Sequence, residues 1–207
     1  MVDTADPTQS LDRLAEEAIR RFPLPDGATL TLINVSENVT YRIDAPDGRR
    51  WALRIHREGY HSPTAIASEL AWLAALKNDG AAVVPTPVAG RDGEHIQSVS
   101  VNGLAPRNVV LFDWESGTEP AANDDAGFEK LGETAARMHA HVRAWTPPPW
   151  FERHTWNFDT SLGATPHWGR WRDGMGLTPE IESVLAEAVA LIERRLARFG
   201  TGPGVFG

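Results

Sequence analysis

Cysteine is absent from the 207 residues, which excludes a disulfide framework, thiolate-held zinc and a cysteine nucleophile together and makes a reducing cytoplasm the expected setting. Long apolar runs are missing too. Nothing reaches the roughly 18 consecutive apolar residues of a membrane span, and the opening Met1-Val-Asp-Thr-Ala-Asp-Pro7 has acids where a signal peptide carries bases. Neither export by that route nor a place in a membrane is expected. Positive charge is scarce: Lys and Arg number 20 against 28 Asp and Glu, a net charge of -8. A broad electrostatic grip on nucleic acid or an anionic membrane is thereby disfavoured, whereas a cationic small molecule is admissible. With 42% hydrophobic and 23% charged residues, what is present is an ordinary globular composition, enough for one domain or two small lobes.

Period-3.6 patterning predicts a first helix over residues 10–22, capped by Ser10 and ended by Pro23 and Pro25. Period-two patterning follows over 29–33, 39–43 and 51–55, the last two runs joined across Asp47-Gly48, and predicts an antiparallel meander. Ser62 as cap, Pro63 at the first helical position and Ile66, Leu70, Leu73 and Leu76 on one face predict a helix that stops near Asp79-Gly80. Strands over 96–101 and 109–114 flank a turn at Asn102-Gly103. Beyond Ser116 the strand signal ends. Apolar stripes predict helices through residues 128–142 and from Thr178-Pro179 to Phe199, separated by an irregular segment, 146–176, rich in Pro, Trp, His and Gly. The expected division is an α+β lobe over 1–115 and a helical lobe over 116–207.

Several groupings could carry chemistry. Arg54 on the third strand and Glu69 on the next helix could form a phosphate-binding cation held by a carboxylate, or Arg54 could be one more exposed strand charge beside Arg49, Arg50 and Arg57. The turn Asn34-Val-Ser-Glu-Asn38 could drape over a nucleotide or be a plain polar hairpin, and it has no glycine to ease a close backbone approach. Phe112-Asp-Trp-Glu-Ser-Gly117 could meet an adenine edge through backbone beside an aromatic wall, or act as a packed linker. Trp145, Trp150, Trp156, Trp168 and Trp171, with His154 and His167, could cage a cationic amine or anchor irregular chain. His139 and His141, two apart on a helix, point to different faces and argue against zinc. No Gly-x-Ser-x-Gly elbow or His-Glu-x-x-His pair supports hydrolysis.

Taken in order, Asn34-Val-Ser-Glu-Asn-Val-Thr-Tyr-Arg42, Trp51-Ala-Leu-Arg-Ile-His-Arg57, Ser68-Glu-Leu70, Val109-Val-Leu-Phe-Asp-Trp114 and Leu131-Gly-Glu-Thr-Ala-Ala-Arg-Met-His139 resemble the amino-terminal part of aminoglycoside phosphotransferase-type kinases. Within that superfamily the chain is most similar to the RdoA-type Ser/Thr kinases. The resemblance implies a protein kinase-like two-lobed fold and ATP as ligand. It implies Arg54 on the phosphates with Glu69 orienting it, Ser36, Glu37 and Asn38 covering the nucleotide, and Asp113, Trp114 and Glu115 meeting adenine through backbone. Arg54 stands where protein kinases carry Lys.

The family's catalytic loop, His-x-Asp-x-x-x-x-Asn, supplies a carboxylate for the acceptor hydroxyl and a magnesium ligand. None of the 7 His residues is followed two places on by Asp. The resemblance places that loop, with its magnesium ligands, just after Gly200-Thr-Gly-Pro-Gly-Val-Phe-Gly207, where the chain reads as interrupted. The expectation is therefore the amino-terminal portion of an ATP-dependent kinase acting on a small-molecule or protein hydroxyl, with no catalytic or metal residue of its own and no activity alone. The alternative is a non-catalytic kinase-like binding module that covers its exposed apolar surface by pairing with a partner or as a homodimer.

Overall fold

A computed structural model of the chain describes residues 7–118 and 121–200. Strands β1 (Thr29–Val35), β2 (Asn38–Asp44) and β3 (Arg50–His56) form the antiparallel meander that the alternation predicts. Gly48 turns β2 into β3 at φ +86°, a backbone region that a side chain disfavours. β1 lies at the sheet edge and carries an irregularity between Leu32 and Asn34, so Leu32, Ile33 and Val35 all remain largely exposed. β6 (Arg107–Asp113) pairs with β3, and its other edge takes β4 (Pro87–Val88) and then β5 (Ile96–Val99) in tandem. β4 has two residues, one of them proline, and so shows no period to read. β5 ends at Val99 rather than Val101 because the chain is already turning, with Leu104 N–H donating to the Val101 carbonyl at 3.2 Å.

Each face of the sheet packs against one helix. On one, Leu14, Ala15 and Ala18 of α1 (Pro7–Ile19) meet Ile43, Leu53, Ile55, Val109 and Leu111, all essentially inaccessible to water. The Tyr41 hydroxyl, beneath α1, donates to Asp12 Oδ1 at 2.7 Å; burial first, then this carboxylate, push the phenol's pKa well up. The structure corrects both ends of the predicted first helix. It begins at Pro7, so Ser10 lies inside it and caps nothing; proline suits a first turn because its missing N–H would be unpaired there. It ends at Ile19, and Arg21 N–H to Ala18 and Phe22 N–H to Ile19 continue as a tighter turn before Pro23.

The opposite face receives α2 (Pro63–Asn78), whose Ile66, Leu70 and Leu73 pack on Ala52, Ile96, Val110 and Phe112. Its start is the expected one: Ser62 Oγ accepts from Ala65 N–H at 3.0 Å, with Pro63 next. A second stripe on α2, Ala65, Ser68, Trp72 and Leu76, is also buried although it belongs to neither sheet cluster.

The chain divides into two compact units, residues 1–152 and 153–207. The change in composition at 115/116 falls inside the first unit, because the end of α3 (Asp125–Ala144) and the loop after it are bonded to α2 and its caps. In the second unit, Asn157 and Thr160 cap the short α4 (Phe158–Ser161) reciprocally, and Thr178 with Pro179 opens α5 (Pro179–Phe199). No residue of α5 is buried, so its apolar stripe, including Val184, Leu191 and Leu196, stays in water. From residue 201 on, the loop-like ending expected over 200–207 lies outside the described residues. Among the described residues no helix is long and apolar enough to cross a membrane.

Candidate functional site

Period two along β3 alternates its side chains between the sheet's faces: Trp51, Leu53 and Ile55 go under α1, while Ala52, Arg54 and His56 go to the α2 side. Register sets Arg54 between Thr40 of β2 and Val110 of β6. From that central position Arg54 Nη1 donates to Glu69 Oε1 at 2.5 Å, with the two side chains 29% and 21% exposed. The guanidinium lies 5.1 Å from the centroid of Phe112, which backs the cation with an aromatic face. The sequence alternative of a solvent-facing strand charge is thus corrected. A cation oriented by one carboxylate and one ring, with part of its fork still in water, suits an anionic ligand.

The hairpin between β1 and β2 closes tightly: Ser36 N–H donates to the Asn38 carbonyl at 2.9 Å, and Asn34 Nδ2 donates to Ser36 Oγ at 3.3 Å. Among the described residues no non-glycine residue has positive φ. The hairpin therefore turns without the left-handed residues that build a backbone anion nest. Ser36 and Glu37 are exposed, and Asn38 is half buried directly opposite His56.

At the end of β6, Asp113 N–H donates to the Thr86 carbonyl at 2.9 Å and Trp114 N–H to the Arg50 carbonyl at 3.3 Å. Two amides of this stretch are therefore used by the sheet, and Glu115 is the next that could face a ligand. Trp114 lies 6.0 Å from the guanidinium of Arg42, which Asp44 holds through a 2.7 Å bond. That bond and the nearby Arg50 hold the Asp44 carboxyl below its usual range.

His56 was not singled out in the sequence, although alternation from Arg54 predicts its face. It is 3% exposed, and neither ring nitrogen has a hydrogen-bond partner. Burial, and next the Arg54 charge, lower its pKa from 6.5 to about 4, so the ring is neutral at pH 7. Ala52, Thr40 and Arg42 belong to the same face and were likewise missed; the register read from Arg54 would have found them.

Within each unit the tryptophans pack on nearby rings and cations. Trp145 packs with His141 and Phe151 in the first unit, and Trp171 lies 4.1 Å from the Arg172 guanidinium in the second. Trp156 packs directly on His167 at 5.1 Å and on Trp168 at 4.9 Å, with His154 stacked on His167 at 4.2 Å. Rings this close fill the space that a caged cation would need. His141 meets Asp79 at 2.9 Å, and among the described residues no group of three or more His, Asp or Glu could hold a metal.

These features are an antiparallel sheet flanked by α1 and α2 with a half-buried Arg–Glu pair at its centre, and comparison with known proteins gives the family. Residues 29–205 match the APH family, described as the phosphotransferase enzyme family. The chain belongs to that family. It is similar to the structure of a microcompartment-associated aminopropanol kinase, at 38% identity and TM-score 0.80, over 93% of this chain and 59% of that one. Amicoumacin kinase hAmiN, solved in complex with AMP-PNP, Ca2+ and Ami, shares the fold at 17% identity and TM-score 0.67, over 96% of this chain and 55% of that one. An uncharacterized protein of Deinococcus radiodurans is 30% identical over 119 residues, 58% of this chain and 34% of that protein. The fold is therefore protein kinase-like, and the chain spans between a third and three-fifths of these relatives' lengths.

Proposed function

We propose that this chain is the nucleotide-holding part of an ATP-dependent kinase that transfers the γ-phosphoryl group to the hydroxyl of a small cationic amino alcohol. The observation that carries the reading is the half-buried Arg54–Glu69 pair at the centre of the sheet. Glu69 and Phe112 fix the guanidinium, whose remaining donors hold phosphate oxygens. Ser36, Glu37 and Asn38 cover the nucleotide, as in the resemblance to kinases. Adenine meets the backbone at 113–115, where the committed amides of Asp113 and Trp114 leave recognition to their carbonyls and to the Glu115 N–H.

The acceptor class rests on the 38% identity to an aminopropanol kinase and on the net charge of -8, which favours a cationic substrate over an anionic one. Magnesium is the expected metal of such a reaction, yet the described residues do not form a site that fits it. No His-x-Asp pair occurs in the sequence, so the transfer step needs a base that these residues do not supply, and the chain alone holds nucleotide without turning it over.

Calorimetric titration with AMP-PNP tests the nucleotide reading. Arg54→Ala removes a charge-assisted contact to phosphate and is expected to weaken binding roughly 10- to 100-fold, whereas an unchanged Kd removes Arg54 from the site. The acceptor reading is tested in the longer protein carrying this chain, by comparing phosphorylation of 1-amino-2-propanol with that of uncharged 1,2-propanediol. Equal rates would count against a cationic acceptor.

A further inference from the structure

Helix α2 carries Glu69, so whatever fixes α2 also fixes the direction of Arg54. The sheet accounts for one of its buried stripes, Ile66, Leu70 and Leu73. The second, Ala65, Ser68, Trp72 and Leu76, lies about 120° around the helix and needs another cover. Three bonds show what lies along it. At the carboxyl end of α2, the cap residue Asp79 accepts or shares a 2.9 Å bond with His141 of α3. At its amino end, the cap residue Ser62 donates through Oγ to Glu152 Oε1 at 3.0 Å. Nearly two turns further in, Glu152 N–H donates to Ser68 Oγ at 2.8 Å, and the Ser68 hydroxyl in turn donates to the Thr64 carbonyl at 2.8 Å.

The chain from 141 to 152 thus runs from one cap of α2 to the other, a helix about 24 Å long at 1.5 Å per residue. Its sequence is suited to bridging a fixed distance. Pro147, Pro148 and Pro149 stand in its middle, where their fixed φ lowers the entropy lost on ordering, and the chain turns at Pro149-Trp150 with Phe151 N–H donating to the Pro148 carbonyl at 2.9 Å. Trp145 and Phe151 flank them, ring edge to ring face at 5.2 Å. Ser68 is 0% exposed and sits next to Glu69 in sequence, so its bond to Glu152 acts beside the ion-pair carboxylate.

We propose that residues 141–152 form a strut that locks α2 in the position from which Glu69 reaches Arg54, with Ser68 and Glu152 as its positioning residues for nucleotide binding. Neither touches the nucleotide; both act through Glu69. The inference rests on the nucleotide reading of the Arg54–Glu69 pair given above.

The test is the Kd of AMP-PNP for this chain, well below its melting temperature, in Ser68→Ala, Glu152→Ala and the two combined, each made with and without Glu69→Ala. Ser68→Ala and the combined variant are expected to weaken binding roughly 5- to 10-fold; Ser68→Thr, which keeps the hydroxyl, restores most of it. In the Glu69→Ala background the same changes are expected to have no further effect, an outcome that mere loss of stability does not produce. Should Ser68→Ala fail to fold, the surface change Glu152→Ala decides alone, with an expected loss of about 3-fold for its bond to Ser62. Affinities within 2-fold of the parent, while Arg54→Ala still loses binding, overturn the strut and leave the nucleotide reading standing. An unchanged Kd in Arg54→Ala overturns both.

Discussion

Acidification isolates the cost of keeping His56 neutral. Its pKa falls from 6.5 to about 4 on folding, chiefly because burial strips water from the charged form and secondarily because Arg54 repels it; Glu69 pulls the other way and His61 adds to the repulsion. A base whose folded pKa is depressed binds fewer protons folded than unfolded between those two values. Stability is therefore complete above about pH 6.5 and falls as the pH drops toward 4. At pH 5 the unfolded chain carries nearly one proton at this site and the folded chain about a tenth of one. Linkage then gives a loss of about 2 kcal/mol between pH 8 and pH 5, levelling off near about 3 kcal/mol below pH 4.

The assay is hydrogen exchange of the β3 amides, corrected for intrinsic rates, in the parent and in His56→Leu. Local exchange reports the unit that holds His56. Leucine removes two buried nitrogens that have no partner, so the variant should be at least as stable as the parent at pH 8. Its loss on going to pH 5 should be smaller by about 2 kcal/mol. An equal loss in both proteins would refute the assignment of this pH dependence to His56.

Gly90→Ala is expected to destabilise by about 1–3 kcal/mol in the same exchange measurement, because the new Cβ would stand 2.4 Å from Gln97 Nε2, an amide held by Asp92 at 2.7 Å and by the Glu94 carbonyl at 3.0 Å. The exposed face of α5, with Val184 67% and Phe199 87% exposed, should bind an apolar dye and drive concentration-dependent association. Light scattering that shows a clean monomer without dye binding would contradict that.

How much of this was legible depends on whether a feature repeats along the chain or is closed across it. β2, β3 and α2 were readable because each buries a face at its own period, punctuated by Asp47-Gly48, Ser62-Pro63 and Asp79-Gly80, whereas β1 was readable from its alternation alone, since only its Leu30 packs partly against the core. The Arg54–Glu69 pair was readable as a possibility, since a strand cation and a helix carboxylate 15 residues apart are brought together by one connection. Contacts such as Glu152 with Ser68, 84 residues apart, left no periodic trace. The three prolines were visible, yet nothing local says that they lie along α2. The tryptophans were readable only as two alternatives, a cage or anchors for irregular chain, and the packing of Trp156 on His167 and Trp168 is of the second kind.

On the nucleotide reading proposed above, the hairpin and the cation divide the work of holding phosphate unequally. In a glycine-rich loop, left-handed residues turn several amides toward one anion and the backbone supplies most of the donors. Here the turn Ser36-Glu37 has no glycine, its residues keep negative φ, and the Ser36 amide is spent on Asn38. The burden falls on a side chain, and the substitution of Arg for Lys at position 54 fits that shift: a planar fork can give one edge to Glu69 and another to phosphate, which a point charge cannot do with the same directionality. Such a fork is useful only while its orientation is fixed. On the proposed reading, Phe112 facing it, Glu69 bonded to it and the bonds along α2 are parts of one arrangement, in which rigidity around a cation takes the place of a backbone nest.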